Sequence, residues 1–395
     1  MNIAFVHDIF PGGGAERVTI DITRYLGSVS DSYRTFIYTP LINADMLTDK
    51  ITRNLVAIRQ LPEGRTARSI EIEKLIISDH IDIVVQVVSS IRHIDRIKKR
   101  TGCMVVFSNH GEPFWQKHDI IARKKHNKLK WKLYRRFLYT KMNLASFRAK
   151  YTNRRHYNSC DIFTVLCEEY KTQMCKGMFL NPETAHIVTI GNSEHPVENV
   201  NYDKKNVILF SGRLENGSKR IDRLLRIWGR VQDQLTDWEL VLVGDGPNRQ
   251  DLEKQVTDEG LERVRFEGRH ADVSPYYREA SILCLTSQTE GWGLCLTEAQ
   301  ANGVIPIAFG CSDGVKTILS PSGTNGFIVN PFDEDKFART LLKVAQMPEN
   351  QKLALRQNCV RKSLEFSPEV IAGKWRTIFD YLHMIKSPGK KQNNI

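Results

Sequence analysis

Residues 286–310 read TSQTEGWGLCLTEAQANGVIPIAFG. A short apolar run, Ile282–Thr286, ends where this stretch begins, as in a strand covered on both faces. A polar loop follows and carries Glu290. Gly291 and Gly293 flank Trp292, and from Gly293 the pattern turns helical, with Glu298 eight residues after Glu290. Glycines there let backbone N–H groups approach a ligand closely, and a helix start offers unpaired donors to an anion. Carboxylates on the loop and on the helix can accept hydrogen bonds from a hydroxyl-rich ligand. A second apolar run, Ile305–Ala308, begins just after Gly303. Strand, helix and strand in that order make a βαβ unit, and so a parallel sheet.

The same alternation runs outward in both directions. The second half has further expected strands at Val207–Ser211, Glu239–Val243, Val264–Glu267 and Gly326–Val329. The first half has them at Ile3–His7, Thr35–Tyr38, Asn54–Ile58, Ile83–Val87, Met104–Ser108, Ile162–Leu166 and His186–Ile190. The expected class is therefore α/β, with two doubly wound, Rossmann-like domains. A break falls at Gly191–Pro196 and the polar run to Lys205, after which NVILFSGR restarts the pattern. The expected domains are residues 1–190 and 205–365, followed by a helical tail over 366–395 that packs back on the first domain. Ser367-Pro368-Glu369 is a good start for that tail. Each sheet should turn the carboxyl ends of its strands toward a shared central cleft, where ligands of such sheets bind.

Other segments carry chemistry at strand ends. In FSGRLENGSKRIDRLL (210–225), Arg213 stands at the mouth of a strand and Lys219-Arg220 at a helix start. Such cations can grip a diphosphate, Arg through its fork and Lys as a point charge. In LVGDGP (242–247), Gly244 and Gly246 suit a tight turn after the next strand. Pro11-Gly12-Gly13-Gly14-Ala15-Glu16-Arg17 links the first strand to a helix, but it lacks the third glycine of a dinucleotide fingerprint. His110 ends the strand Met104–Ser108 within SNHGEPFW.

Taken together, the strand–E–G–aromatic–G–L–helix–E–A layout resembles glycosyltransferase family 4, the retaining GT-B family marked by E-x7-E. The resemblance is dense in the second half and sparse in the first. It implies that Glu290 contacts the donor sugar, Glu298 the ribose hydroxyls, and the backbone at Gly293 and Leu294 the diphosphate. Arg213 and Lys219 match the family's phosphate-binding pair, although the turn between them is long enough to leave Lys219 and Arg220 as alternatives. Gly244 and Arg269 would lie beside the nucleotide, and Gly13 and Gly14 would meet the donor phosphate or sugar. His110 would point toward the reacting sugar, with Asp8, Glu112 and Trp115 on the acceptor side.

The implied activity is retaining transfer of a hexose-type sugar from a UDP- or GDP-sugar to a glycan or lipid-linked acceptor in cell-surface polysaccharide synthesis, with no metal or other cofactor. Asp333-Glu334-Asp335 has the spacing of a metal-binding D-x-D, but it sits at a helix start where Asp is a natural cap. Competing readings are a GT-B epimerase or phosphorylase, and a non-catalytic protein that binds nucleotide sugar or a membrane surface.

The net charge of +12 favours an anionic partner. Lys117–Arg155 concentrates it, with Asp119 as the one acidic residue and Trp131, Tyr134, Phe137 and Tyr139 interleaved among the cations. As a basic amphipathic helix this stretch suits an anionic membrane surface. It equally suits a solvated helix packed on its own domain. No nucleic-acid module is present, so nucleic acid is not an expected partner. The start, MNIAFVHDIF, does not read as a signal peptide, and no apolar run approaches the ~18 residues of a membrane span. The eight cysteines form no C-x-x-C pair. Reduced, mostly buried thiols in a cytoplasmic protein, peripheral on the inner membrane face, are the expectation.

Overall fold

A computed structural model describes residues 1–88, 91–114 and 131–386, and of 131–143 the backbone alone. The described residues form two compact units. The first comprises Met1–Gly111, Arg148–Ser193 and the C-terminal segment from Pro368. The second comprises Glu112–Phe147 and Glu194–Ser367.

In the first unit the strands are β1 (Asn2–Val6), β2 (Arg34–Thr39), β3 (Leu55–Gln60), β4 (Ile83–Val87), β5 (Met104–Ser108), β6 (Ile162–Val165) and β7 (Ile187–Thr189). They pair throughout in parallel in the order β3-β2-β1-β4-β5-β6-β7. β4 and the inner parts of β1, β2 and β5 are buried, as the unbroken Val/Ile runs require of strands covered by helices on both faces.

The helix Pro368–Lys386 belongs to this unit. Its apolar residues Ile371, Ala372, Trp375, Ile378, Phe379 and Leu382 recur at helical spacing and are buried. They join Val18, Ile22 and Leu26 of the helix Gly14–Val29 in one core. Phe379 meets Phe5 edge-on at 6.2 Å. Burial of each large side chain contributes about 1.5–3 kcal/mol, and ion pairs such as Lys386–Asp82 at 2.8 Å close the rim.

In the second unit the strands are β8 (Lys205–Ser211), β9 (Glu239–Val243), β10 (Val264–Gly268), β11 (Ala280–Leu285), β12 (Ile305–Phe309) and β13 (Phe327–Val329). They are again parallel, in the order β10-β9-β8-β11-β12-β13. The helix Ile221–Gly229 shows the reason for the packing in miniature. Ile221, Leu224, Leu225 and Trp228 form one stripe and are fully buried against the sheet. The strands expected from sequence all occur, within two residues at each end.

Candidate active site

In the second unit the strand order reverses between the neighbours β8 and β11. Loops leaving the carboxyl ends of such a pair open a crevice. Here the two loops are stitched together. The Gln288 N–H donates to the Ser218 carbonyl at 2.6 Å, and the Thr286 hydroxyl donates to the Arg220 carbonyl at 3.0 Å. The stitching brings Lys219 against Glu290, with Nζ to Oε1 at 2.5 Å. The Ser287 hydroxyl donates to the same carboxylate oxygen at 2.7 Å. Burial opposes the charge on Lys219, but the adjoining Glu290 carboxylate outweighs it and holds the ammonium pKa above its ordinary value.

Arg220 takes a separate path. Its backbone is left-handed, at φ +53°, and its guanidinium forks onto Asp222 with two contacts of 2.8 Å. Of the two cations that the sequence left as alternatives, Lys219 is therefore the one that reaches Glu290. Arg213 lies just beyond β8, its side chain 68% exposed and 3.8 Å from Glu215. It is a largely exposed cation at the mouth of the strand, loosely paired with Glu215.

Two glycines make this geometry sterically feasible. A Cβ on Gly244 would stand 1.9 Å from the Gly212 carbonyl oxygen, and one on Gly246 would stand 2.4 Å from that of Leu214. The turn after β9 thus packs its backbone directly on the loop after β8. Gly293, at φ +96°, caps the helix Leu294–Ala301 without a side-chain bond, and this helix start follows directly on the loop that carries Glu290. Glu298, one turn further, accepts from the Tyr277 hydroxyl at 2.7 Å. Burial, then the Glu298 charge, pushes Tyr277 well above the usual phenol range, so it acts there as a fixed donor. Arg269 is exposed beyond β10, whose Gly268 carbonyl accepts from the Gly244 N–H at 2.8 Å.

Three members of this neighbourhood were not singled out from sequence. Arg223 is buried, donates to Gln288 Oε1 at 2.5 Å and lies 4.2 Å over the Phe332 ring. Burial lowers its pKa to about 10. Tyr277 is adjacent to Tyr276 in the sequence, and nothing local distinguishes the buried one. Cys311 is half-buried beyond β12. Burial raises its thiol pKa, and the charges of Glu290 and Glu112 add to the effect.

In the first unit His110 forms a chain of its own. Thr164 donates to the Ser108 hydroxyl at 3.1 Å, Ser108 meets His110 Nε2 at 3.0 Å, and His110 Nδ1 meets Asn192 Oδ1 at 3.0 Å. An acceptor at Nδ1 fixes the proton there and leaves Nε2 to accept from Ser108. Burial lowers the His110 pKa to about 4, so the ring is neutral.

Gly13 and Gly14 begin the helix Gly14–Val29, and the Gly13 N–H is taken by Glu16 at 2.7 Å. The Glu16 carboxylate also approaches the buried His7 at 3.5 Å. Asp8 is exposed and paired with Arg68 at 2.9 Å. Glu112 is buried and falls in the second unit. Trp115 and residues 117–130 lie outside the described residues. Beyond them the helix Trp131–Ser159 exposes Leu144, Phe147 and Tyr151 at helical spacing. Among the described residues no cluster of three or more His, Cys, Asp or Glu could hold a metal. Asp333 caps the helix Glu334–Ala345 by accepting from the Lys336 N–H, which accounts for the Asp-Glu-Asp spacing. No described helix is long and apolar enough to cross a membrane.

Residues 192–363, which hold every part of the Lys219–Glu290 site, match the family model described as glycosyl transferases group 1. This segment belongs to that family. An uncharacterized glycosyltransferase of Haemophilus influenzae is 31% identical over 223 residues, 56% of this chain and 61% of that protein. A Campylobacter jejuni enzyme is 27% identical over 230 residues, 57% of this chain and 62% of its own length. Its name is GalNAc-alpha-(1->4)-GalNAc-alpha-(1->3)-diNAcBac-PP-undecaprenol alpha-1,4-N-acetyl-D-galactosaminyltransferase. The chain thus spans less than two thirds of the length of these curated relatives.

Among solved structures, Anabaena Alr3699/HepE in complex with UDP has a TM-score of 0.73 at 15% identity, covering 96% of this chain and all of that one. With UDP-glucose the TM-score is 0.72. At this identity the likeness establishes the fold, and it is the GT-B fold. In this group 1 segment, the loops after β8 and β11 and the helix Leu294–Ala301 supply the charged pair, a helix start that no side chain caps and the second carboxylate.

Proposed function

We propose that the protein is a retaining glycosyltransferase that moves a hexose-type sugar from a nucleotide-sugar donor to a glycan or lipid-linked acceptor in cell-surface polysaccharide synthesis. One observation carries this reading. A Lys–Glu pair is stitched between two loops at the point of strand reversal, inside the segment that matches the family. In such a site Lys219 and Arg213 would neutralise the departing diphosphate, with the helix start at Gly293 adding backbone donors. Glu290 would orient the donor sugar and Glu298, steadied by Tyr277, the ribose hydroxyls. His110, neutral and hydrogen-bonded at both ring nitrogens, would present a fixed polar surface toward the reacting sugar. No metal or other cofactor enters this scheme.

UDP-sugars are the donors to test first, because Alr3699/HepE was solved with UDP and UDP-glucose. GDP-sugars form the second panel. A diphosphate-linked lipid is the acceptor class to test, because the name of the Campylobacter relative contains one. The exposed Leu144, Phe147 and Tyr151, with Lys150 and Arg154 on the same helix, would rest on the anionic inner face of a membrane.

The test is incubation with each nucleotide sugar, with and without a lipid-linked oligosaccharide, read by mass spectrometry of the product and by NMR of the new anomeric centre. Sugar transfer with the donor's configuration is the expected result. Conversion of donor without acceptor would favour an epimerase, and transfer with inversion would refute the retaining step.

A further inference from the structure

A separate cavity lies in the first unit, between the start of the helix Ile94–Thr101 and the last turns of Trp131–Ser159. Its volume is about 430 Å³, within the range of ~300–1,000 Å³ that small-molecule sites occupy. Arg96, Arg154 and Arg155 line it, with His93, His156 and Asp95. Asp95 is the one carboxylate among the lining residues. Neither the Lys219–Glu290 site nor the His110 chain includes any of these side chains.

Three features point to an anionic ligand. First, the cations outnumber the acid, and Arg96 and Arg155 are exposed with no ion-pair partner among the described residues. Second, the helix Ile94–Thr101 starts at the cavity, its cap residue His93 is left-handed at φ +58°, and no side chain caps it. Its first N–H groups are therefore available to an anion. Third, the His156 ring is only 9% exposed yet lines the cavity. It stacks on Phe107 at 4.2 Å, and its ring nitrogens have no hydrogen-bond partner among the described residues. The cavity gives those nitrogens access, and a ligand oxygen there would accept a hydrogen bond from the neutral ring.

We infer that this cavity binds a phosphate group, gripped by Arg96, Arg155 and the helix start and hydrogen-bonded by His156. Arg154 contributes charge while one of its N–H groups donates to the Met178 carbonyl. Guanidinium forks fit phosphate oxygens in two-point contacts. The phosphate could belong to a soluble phosphate ester or to a lipid headgroup. The exposed Tyr151 on the rim and Phe179, 87% exposed beside Lys150, make both sources physically reasonable.

The experiment uses full-length protein labelled with ¹³C at histidine Cε1, titrated with inorganic phosphate and with α-glucose 1-phosphate. Sedimentation with vesicles of phosphatidylcholine, with and without phosphatidic acid, forms the second arm. The wild-type protein is compared with Arg96→Ala/Arg155→Ala, whose exposed positions should leave the fold intact. Saturable movement of the His93 and His156 signals by the soluble anions, weakened about tenfold or more in the variant, supports the site with a soluble source. Sedimentation only with phosphatidic acid, lost in the variant, supports it with a lipid source. Silent His93 and His156 signals together with no phosphatidic-acid-dependent sedimentation would overturn the inference. So would effects of equal size in the variant.

Discussion

Replacing Lys219 with Met removes one half of the pair that defines the candidate site. At 2.5 Å, two unit charges attract by about 6–7 kcal/mol at an effective dielectric of ~20. Desolvation offsets much of this, and breaking a buried pair costs ~3–5 kcal/mol overall, chiefly by leaving the other charge unpaired. Glu290 is 9% exposed, whereas Lys219 keeps 24%, so the lower end applies. A loss of ~3 kcal/mol corresponds to a fall of roughly 6–12 °C in melting temperature for a domain of this size. Adding Glu290→Gln removes the carboxylate charge that has lost its cation and should recover at least half of that loss. Turnover with the best donor should stay at least ~100-fold down in both variants, since neither offers the cation to the leaving diphosphate. The assay is calorimetry of the two single variants and the double variant, with steady-state kinetics on each. Additive stability effects would refute the pairing, and wild-type-like turnover in the double variant would refute its role.

Arg213→Ala should behave differently. The side chain is mostly exposed, so melting should be unchanged while turnover falls by about 100-fold; a thermal scan beside the kinetics separates the two. Gly244→Ala would drive a methyl into the Gly212 carbonyl at a left-handed φ of +135°, so a loss of ~2 kcal/mol or more is expected, measured by denaturant unfolding. Tyr277→Phe removes the donor to Glu298; KM for the donor should rise several-fold with kcat little altered.

The pH dependence follows from two histidines. Burial lowers both His110 and His156 to about 4, while an unfolded chain titrates them near ~6.5. Between those values the unfolded state binds more protons, so stability is full above pH ~6.5 and is lost as the pH falls toward 4. The melting temperature should decline over that window, and a flat profile from pH 7 to ~5 would contradict the neutral state of both rings.

The sheets were legible because parallel strands announce themselves as unbroken apolar runs. Ile83–Val87, Met104–Ser108 and Glu239–Val243 could be bounded to the residue. The loops after β8 and β11 were legible for a related reason. Glycines at 244, 246 and 293 are forced by close backbone approach or positive φ, and such glycines leave a spacing in the sequence. What the spacing could not express is which neighbouring cation turns inward. Lys219 and Arg220 differ only through the left-handed turn at Arg220 and the acceptor offered by Asp222, two residues on. Tyr277, Arg223 and Gln288 were invisible because their partners lie 21, 65 and 65 residues away. His156 lies one residue past the basic run Lys117–Arg155 and carries no local signal, because its stacking on Phe107 depends on β5 passing beneath the helix.

The central claim is that the second unit binds a nucleotide sugar through the Lys219–Glu290 site. Thermal denaturation of the purified protein with UDP, GDP, ADP and their sugar conjugates, run in parallel on Glu290→Ala, tests it most directly. Stabilisation by one nucleotide class is expected, worth about 2.7 kcal/mol at a hundredfold excess over Kd, with the extra gain from the attached sugar lost in the variant. No shift with any nucleotide, or an equal sugar-dependent gain in Glu290→Ala, would contradict it.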